Sequence, residues 1–195
     1  MLPVVALAAV LAAGCLGRSP RPQFFRLSPT AVANGASVAS LPELGLAIGA
    51  IEFPRYLDRP EIVTREGAHL LVLADAQRWG GSLRSEVQRV VADDLAALLG
   101  TTRIAVYPVE PRFPVDYRVL LDVRGFEGVP GESVRLHARW VVASGPDGRA
   151  LVVEESQVEQ KVASDSWEAY AAAHSDALGV VTRQIAEKIA GLAAR

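Results

Sequence analysis

Cys15, the only cysteine of the chain, closes the run Leu11-Ala12-Ala13-Gly14-Cys15 and precedes the polar, proline-broken Gly17-Arg18-Ser19-Pro20-Arg21-Pro22. This pattern is a bacterial lipobox, and its chemistry is acylation. The Cys15 thiol becomes a thioether to diacylglycerol, the peptide is cut between Gly14 and Cys15, and the freed amino group is acylated. Small residues at Ala12, Ala13 and Gly14 suit the narrow cleft of a signal peptidase. A free cysteine is otherwise commonly a core residue, but this one ends an N-terminal apolar segment and has no second cysteine to pair with. Residues 2–14 are too few for a membrane-spanning helix, which needs about 20 apolar residues. The expected organisation is therefore a signal peptide at 1–14, a lipidated N-terminus and linker at 15–22, and one domain over 23–195. Leu16 follows the cysteine where an aspartate would retain the protein at the inner membrane of enteric bacteria, so the expected address is the periplasmic face of the outer membrane. The usual positively charged start is missing from Met1-Leu2-Pro3, which leaves the true start codon open.

No second reactive constellation is found. The three histidines, His69, His137 and His174, fall on different predicted elements without a His-Glu-x-x-His or Cys/His metal spacing, and each reads as a surface or strand-face residue. Ser82 and Ser85 lack a Gly-x-Ser-x-Gly elbow and read as helix-start residues. There is no Gly-x-x-x-x-Gly-Lys-Ser/Thr loop to cradle phosphates. The pattern predicts a protein that is not an enzyme and takes no cofactor or metal.

The segment Phe53-Pro54-Arg55-Tyr56-Leu57-Asp58-Arg59-Pro60-Glu61-Ile62-Val63-Thr64-Arg65 is the other concentration of signal. Two readings are open. Pro54 and Pro60 bracket a stiff turn that Asp58 could cap and Arg59 could bridge to Asp58 or Glu61, so the segment could simply fix how two strands meet. Alternatively the turn presents Tyr56 and Leu57 as aromatic and aliphatic anchors, with Asp58, Arg59 and Arg65 at the rim of a partner interface. Arg78-Trp79 carries the same pair of readings.

The elements that must position these residues follow a mixed α/β order. Strands are predicted at Phe24–Pro29, Leu44–Phe53, Ile62–Arg65, His69–Leu73 and Ile104–Tyr107, with residues 30–43 as a loop and Glu66-Gly67-Ala68 as a hairpin turn. Asp116–Arg124 and Val134–Val142 alternate apolar and polar residues, the mark of half-buried antiparallel strands. Ser144-Gly145-Pro146-Asp147-Gly148 turns the chain into a strand over Ala150–Gln160, whose Glu154, Glu155 and Glu159 read as a solvated face. A helix is expected from Ser82 to Leu99, its stripe Leu83, Val87, Val90, Val91, Leu95 and Leu98 opposed by Arg84, Glu86, Gln88, Arg89, Asp93 and Asp94, with Gly100 as C-cap. A second long helix is expected from Asp165, spaced from Glu168 like a capping box, with the stripe Tyr170, Leu178, Val181, Ile185, Ile189 and Leu192. The 195-residue chain is half hydrophobic, and its 20 basic and 22 acidic side chains nearly cancel, so no field favours nucleic acid. With one cysteine there is no internal disulfide, and packing must supply stability.

The lipobox, the opening Phe24-Phe25-Arg26-Leu27-Ser28-Pro29, the Pro-x-Tyr-Leu-Asp-Arg-Pro-x-Ile-Val-Thr-Arg run, Arg78-Trp79, Leu136-His137-Ala138-Arg139-Trp140 and the C-terminal Ser175-x-x-Leu178 and Ile185-Ala186-x-x-Ile189 together resemble the PqiC/YmbA family of ABC-type transport auxiliary lipoproteins. The family often follows Arg-Trp with a small residue, an acid and proline, whereas this chain has Gly80-Gly81-Ser82. The resemblance implies a single three-layer α/β domain like the N-terminal domain of TolB, a mixed sheet of about five to seven strands with two long helices packed on it. It implies a non-catalytic auxiliary subunit that docks an MCE-domain, PqiB-like, periplasm-spanning tunnel protein at the outer membrane for intermembrane lipid transport. A homo-oligomeric ring would match a tube with rotational symmetry. The alternatives are a stand-alone lipid- or ligand-binding envelope lipoprotein, which would need an apolar cavity of roughly a few hundred cubic ångströms, and an envelope hydrolase, which would need a nucleophile and base.

Overall fold

The computed structural model describes residues 21–195; the signal peptide, the cleavage site and Cys15 lie outside them. Eight strands and three helices alternate. β1 (Gln23–Phe25) leads to a one-turn helix α1 (Thr30–Ala33), then β2 (Leu46–Glu52), β3 (Glu61–Glu66), β4 (Leu70–Trp79) and helix α2 (Leu83–Leu99). β5 (Ile104–Val106), β6 (Tyr117–Val129), β7 (Ser133–Ser144), β8 (Ala150–Lys161) and helix α3 (Trp167–Ala193) complete the fold. The expected α/β class is observed. Its mixed sheet has five strands in the order β5-β2-β6-β7-β8, and the other three strands form a sheet of their own, β1-β4-β3.

Each sheet mixes directions for a local reason. β2 is parallel to β5 and β6, because helix α2 intervenes between β2 and β5. β6, β7 and β8 follow one another through tight turns and are antiparallel. In the smaller sheet β3 and β4 form a hairpin around Gly67, whose φ of +61° suits glycine, while β1 returns parallel to the far end of β4. Helix α2 packs on β2 and β5, α3 on β7 and β8, and the two helices on each other. They cover the face that carries Val119, Leu121, Val123, Leu136, Ala138, Trp140 and Val142, all buried. The opposite face, with Arg118, Arg124, Arg135 and Arg139, is open to solvent.

Three local differences from the sequence expectation have identifiable causes. The loop expected at 30–43 contains α1, because Asp94 of α2 is fully buried and its Oδ1 accepts the Ala31 backbone N–H at 2.7 Å. Asp94 thus leaves the polar face assigned to it and caps another element, with burial raising its pKa against the opposing backbone N–H groups. Helix α3 starts two residues later than expected. Its cap is Ser166, whose side chain accepts the Ala169 N–H, rather than Asp165. Finally, β6 runs on to Val129 through a bulge at Arg124, where the pairing passes from Val123↔Ala138 to Gly125↔His137. Past the bulge the inward parity changes, so Phe126 and Gly128 face the core.

The α3 stripe is intramolecular: Tyr170, Leu178, Val181, Ile185 and Ile189 have no exposure, and Leu192 near the C-terminal end is half-buried. Gly179 lets α3 approach α1, since a Cβ there would lie 2.0 Å from Thr30 Oγ1. Ile185→Ala is expected to lower unfolding free energy by about 2–5 kcal/mol, read as a lower urea midpoint at constant m-value.

Candidate functional site

The Tyr56–Arg65 segment crosses the end of β6 and covers Glu127, a buried carboxylate. Glu127 is fully engaged. The Tyr56 hydroxyl and the Phe126 backbone N–H both donate to its Oε2 at 2.8 Å, and the Arg65 guanidinium pairs with Oε1. Burial, then the hydrogen bond to Glu127, pushes the Tyr56 phenol above its ordinary range, and the same carboxylate raises Arg65 further. Gly125, in the bulge, lies directly beside this arrangement: a Cβ there would make ordinary contact with Glu127 at 3.5 Å and with the Tyr56 hydroxyl at 3.8 Å.

The candidate contact residues divide into two kinds. Leu57 is 2% exposed and Trp79 3%, so both fill the core and neither is presented to a partner, contrary to the anchor reading. The reason is that the Pro54–Leu57 turn, closed by a Leu57 N–H to Pro54 C=O bond of 3.0 Å, folds back onto the domain. Asp58 is exposed and ion-paired at 2.9 Å with Arg84, which also reaches the Ile51 carbonyl at 2.6 Å. The start of β3 lies against the end of β4. Trp79 N–H donates to Pro60 C=O at 2.8 Å, and Arg78 stands 3.9 Å from Glu61. The two sequence signals, Tyr56–Arg65 and Arg78-Trp79, are therefore neighbours. Arg59 and Arg78 are half-buried, and the Nε of each is buried without a hydrogen-bond partner.

Behind this surface lies an aromatic joint that the sequence did not reveal. His174, read from sequence as a surface residue, is buried on α3 between Trp79 of β4, Phe126 of β6 and Tyr170 one turn earlier, at ring-centroid distances of 5.3, 4.7 and 4.6 Å. Its Nδ1 donates to the Tyr170 carbonyl at 2.9 Å. The available signal was its place four residues after Tyr170 and four before Leu178, inside the stripe. Burial pushes the imidazole down to about 4, against smaller opposing effects of backbone carbonyls and Glu127. The other histidines lie apart: His69 is exposed beside the hairpin turn, and half-buried His137 meets Glu155 at 2.6 Å. Among the described residues no group of three or more His, Cys, Asp or Glu could hold a metal. An open cleft of about 1260 Å³ runs beside Glu127, lined by Arg65, Arg124, Arg135, His137, Ser133 and Glu159 among others.

The family model for ABC-type transport auxiliary lipoprotein components matches residues 25–186, across both sheets and most of α3. The chain belongs to this family. It is of the PqiC/YmbA type, and as an auxiliary lipoprotein component it serves a transport system of the cell envelope. Two crystal structures share the fold. One, described as an uncharacterized protein, is 16% identical with a TM-score of 0.71 over 87% of this chain and 99% of its own. The other, a DUF330 protein from Xanthomonas campestris, is 19% identical with a TM-score of 0.65 over 87% and 93%. No curated protein matches the chain.

Two outcomes check the geometry of this auxiliary component. The unfolded chain binds a proton at His174 near pH 6.5, while the folded chain resists protonation down to about 4. This part of the stability is complete above pH 6.5 and falls as pH drops towards 4, by roughly 3 kcal/mol in all. His174→Phe is expected to flatten the acid limb of a plot of melting temperature against pH. Tyr170→Phe, which orphans the buried Gly128 N–H, is expected to cost about 1–3 kcal/mol in denaturant unfolding.

Proposed function

We propose that this lipoprotein is anchored through Cys15 to the periplasmic face of the outer membrane and docks an MCE-domain, PqiB-like tunnel protein in an intermembrane lipid transport system. The observation that carries the reading is the family match over residues 25–186, joined to a lipobox that the sequence places immediately upstream. An auxiliary subunit needs a rigid surface rather than a reacting centre. The polar groups around Tyr56 are already satisfied by one another, which suits positioning. The docking surface consists of Asp58, Arg59 and Arg78 with the edge of Tyr56, while Arg65, held by Glu127 and the Ala68 carbonyl, supports it together with the core residues Leu57 and Trp79. Arginine guanidinium groups are well suited to bidentate contact with carboxylates across an interface. A ring of copies would present this surface around the end of a tube.

The alternative, a stand-alone lipid carrier, needs a pocket that shelters acyl chains from water. The cleft beside Glu127 is open rather than enclosed, and Arg65, Arg124, Arg135 and Glu159 share its lining with Leu136 and Val158, which favours the docking reading.

Co-purification from detergent-solubilised membranes, with mass spectrometry of the partners, tests the proposal. The native protein is expected to bring down an MCE-domain protein. The double variant Arg59→Glu, Arg78→Glu is expected to stay folded and membrane-bound yet lose at least about 2 kcal/mol of binding, roughly thirtyfold, enough to empty the pull-down. Cys15→Ser is expected to remove the protein from the outer-membrane fraction. An abundant, folded double variant that binds fully would remove this surface from the site.

A further inference from the structure

The hairpin between β3 and β4 carries apolar side chains where a soluble hairpin carries polar ones. Of the ten large hydrophobic residues exposed among the described residues, three fall within four positions: Leu70 at 54%, Leu71 at 37% and Leu73 at 44%. Single exposed leucines are ordinary on protein surfaces, but a contiguous set marks an interaction. Successive strand residues point to opposite faces, so Leu71 and Leu73 flank one side of β4 and Leu70 the other. That strand is half free. β1 pairs only with Gln77–Trp79, so from Leu70 to Ala76 β4 has β3 on one side and no strand on the other among the described residues.

The direction of the chain says what this flank meets. β1 is parallel to β4, with Gln23 opposite Gln77, so the segment preceding Gln23 leaves towards the Leu70 end of β4. Cys15 lies eight positions before Gln23, and His69 eight positions before Gln77. Eight residues extend to roughly 27 Å at most, and the Leu71 position lies roughly 20 Å along β4 from Gln77. The linker is therefore long enough for Cys15 to reach the level of the leucines.

We propose that the flank of the β3–β4 hairpin is a second membrane contact, with Leu70, Leu71 and Leu73 seated shallowly in the bilayer leaflet that receives the lipid on Cys15. This rests on the anchoring assigned above. Side chains at this depth occupy the boundary between headgroups and acyl chains, and Glu66 and His69 at the apex remain among the headgroups. The contact would fix the orientation of the domain on the leaflet, holding Arg59 and Arg78, at the opposite end of the hairpin, away from the bilayer.

The test uses the mature lipidated protein in vesicles of phosphatidylethanolamine and phosphatidylglycerol, with an environment-sensitive fluorophore on Leu71→Cys or, as control, on exposed Val153→Cys of β8. The acylated Cys15 thiol does not label. The Leu71→Cys probe is expected to shift to the blue and be quenched by lipids with brominated chains, and the Val153→Cys probe to remain in water. A water-exposed probe at position 71 overturns the proposal. So does equal quenching at both positions, or a shielded probe that brominated lipid does not quench, which would mean a protein partner or a second copy pairs with the free strand edge. Mass spectrometry of Cys15 reads the anchor separately. If the thiol is unmodified, the same measurement on Cys15→Ser protein held on nickel-chelating lipid by an N-terminal hexahistidine tag decides the hairpin contact by the same outcomes.

Discussion

The Tyr170 hydroxyl holds three elements with one oxygen. It accepts the Gly128 N–H of β6 at 2.9 Å and lies 3.1 Å from the Gly128 carbonyl and 3.4 Å from the Val63 carbonyl of β3, all of them buried. A buried polar group is tolerated only when satisfied, so α3, the five-stranded sheet and the three-stranded sheet must meet at one register. Gly128 is required for this meeting: a Cβ there would fall 2.0 Å from the Ser133 carbonyl. The aromatic rings of Trp167, Tyr170, His174, Phe126 and Trp79 then fill the joint. Burial raises the Tyr170 phenol and lowers the His174 imidazole, so both stay neutral at physiological pH and no buried charge has to be accommodated.

The candidate surface inherits its shape from this joint. Once β3 is fixed against β6, Glu127 lies under the Pro54–Pro60 turn and recruits Tyr56 and Arg65. The same constraint sets Pro60 against Trp79, which brings the Arg59 and Arg78 positions near one another where β3 begins and β4 ends. The bulge at Arg124 is what turns Phe126 inward and Glu127 towards the turn, so one extra residue in β6 separates a solvated strand end from a buried ion pair. The turn is thus a strand-meeting device, and it also carries the surface proposed for docking.

Much of this was legible from the chain because the signals are local. The stripe from Leu83 to Leu98, the alternation in Asp116–Arg124 and Val134–Val142, and Gly100 as a left-handed cap all depend on periodicity or on one residue's backbone freedom. What escaped was non-local. Asp94 is polar and lies beside Asp93, so only the presence of α1 above it explains its burial. Glu127 drew no notice because its partners Tyr56 and Arg65 are more than sixty residues away. Leu57 and Trp79 are open to reading as either core residues or exposed anchors, because composition alone does not say which side of a turn faces inward.

The claim on which the account turns is that the Arg59–Arg78 surface touches a transport partner in the envelope. Site-specific photo-crosslinking in living cells measures this directly, with a photoreactive amino acid at position 59 and, as control, at Val153. The account predicts a crosslink from position 59 to an MCE-domain protein and none from position 153. A protein that is lipidated, abundant and folded but gives no such adduct from position 59 would contradict it.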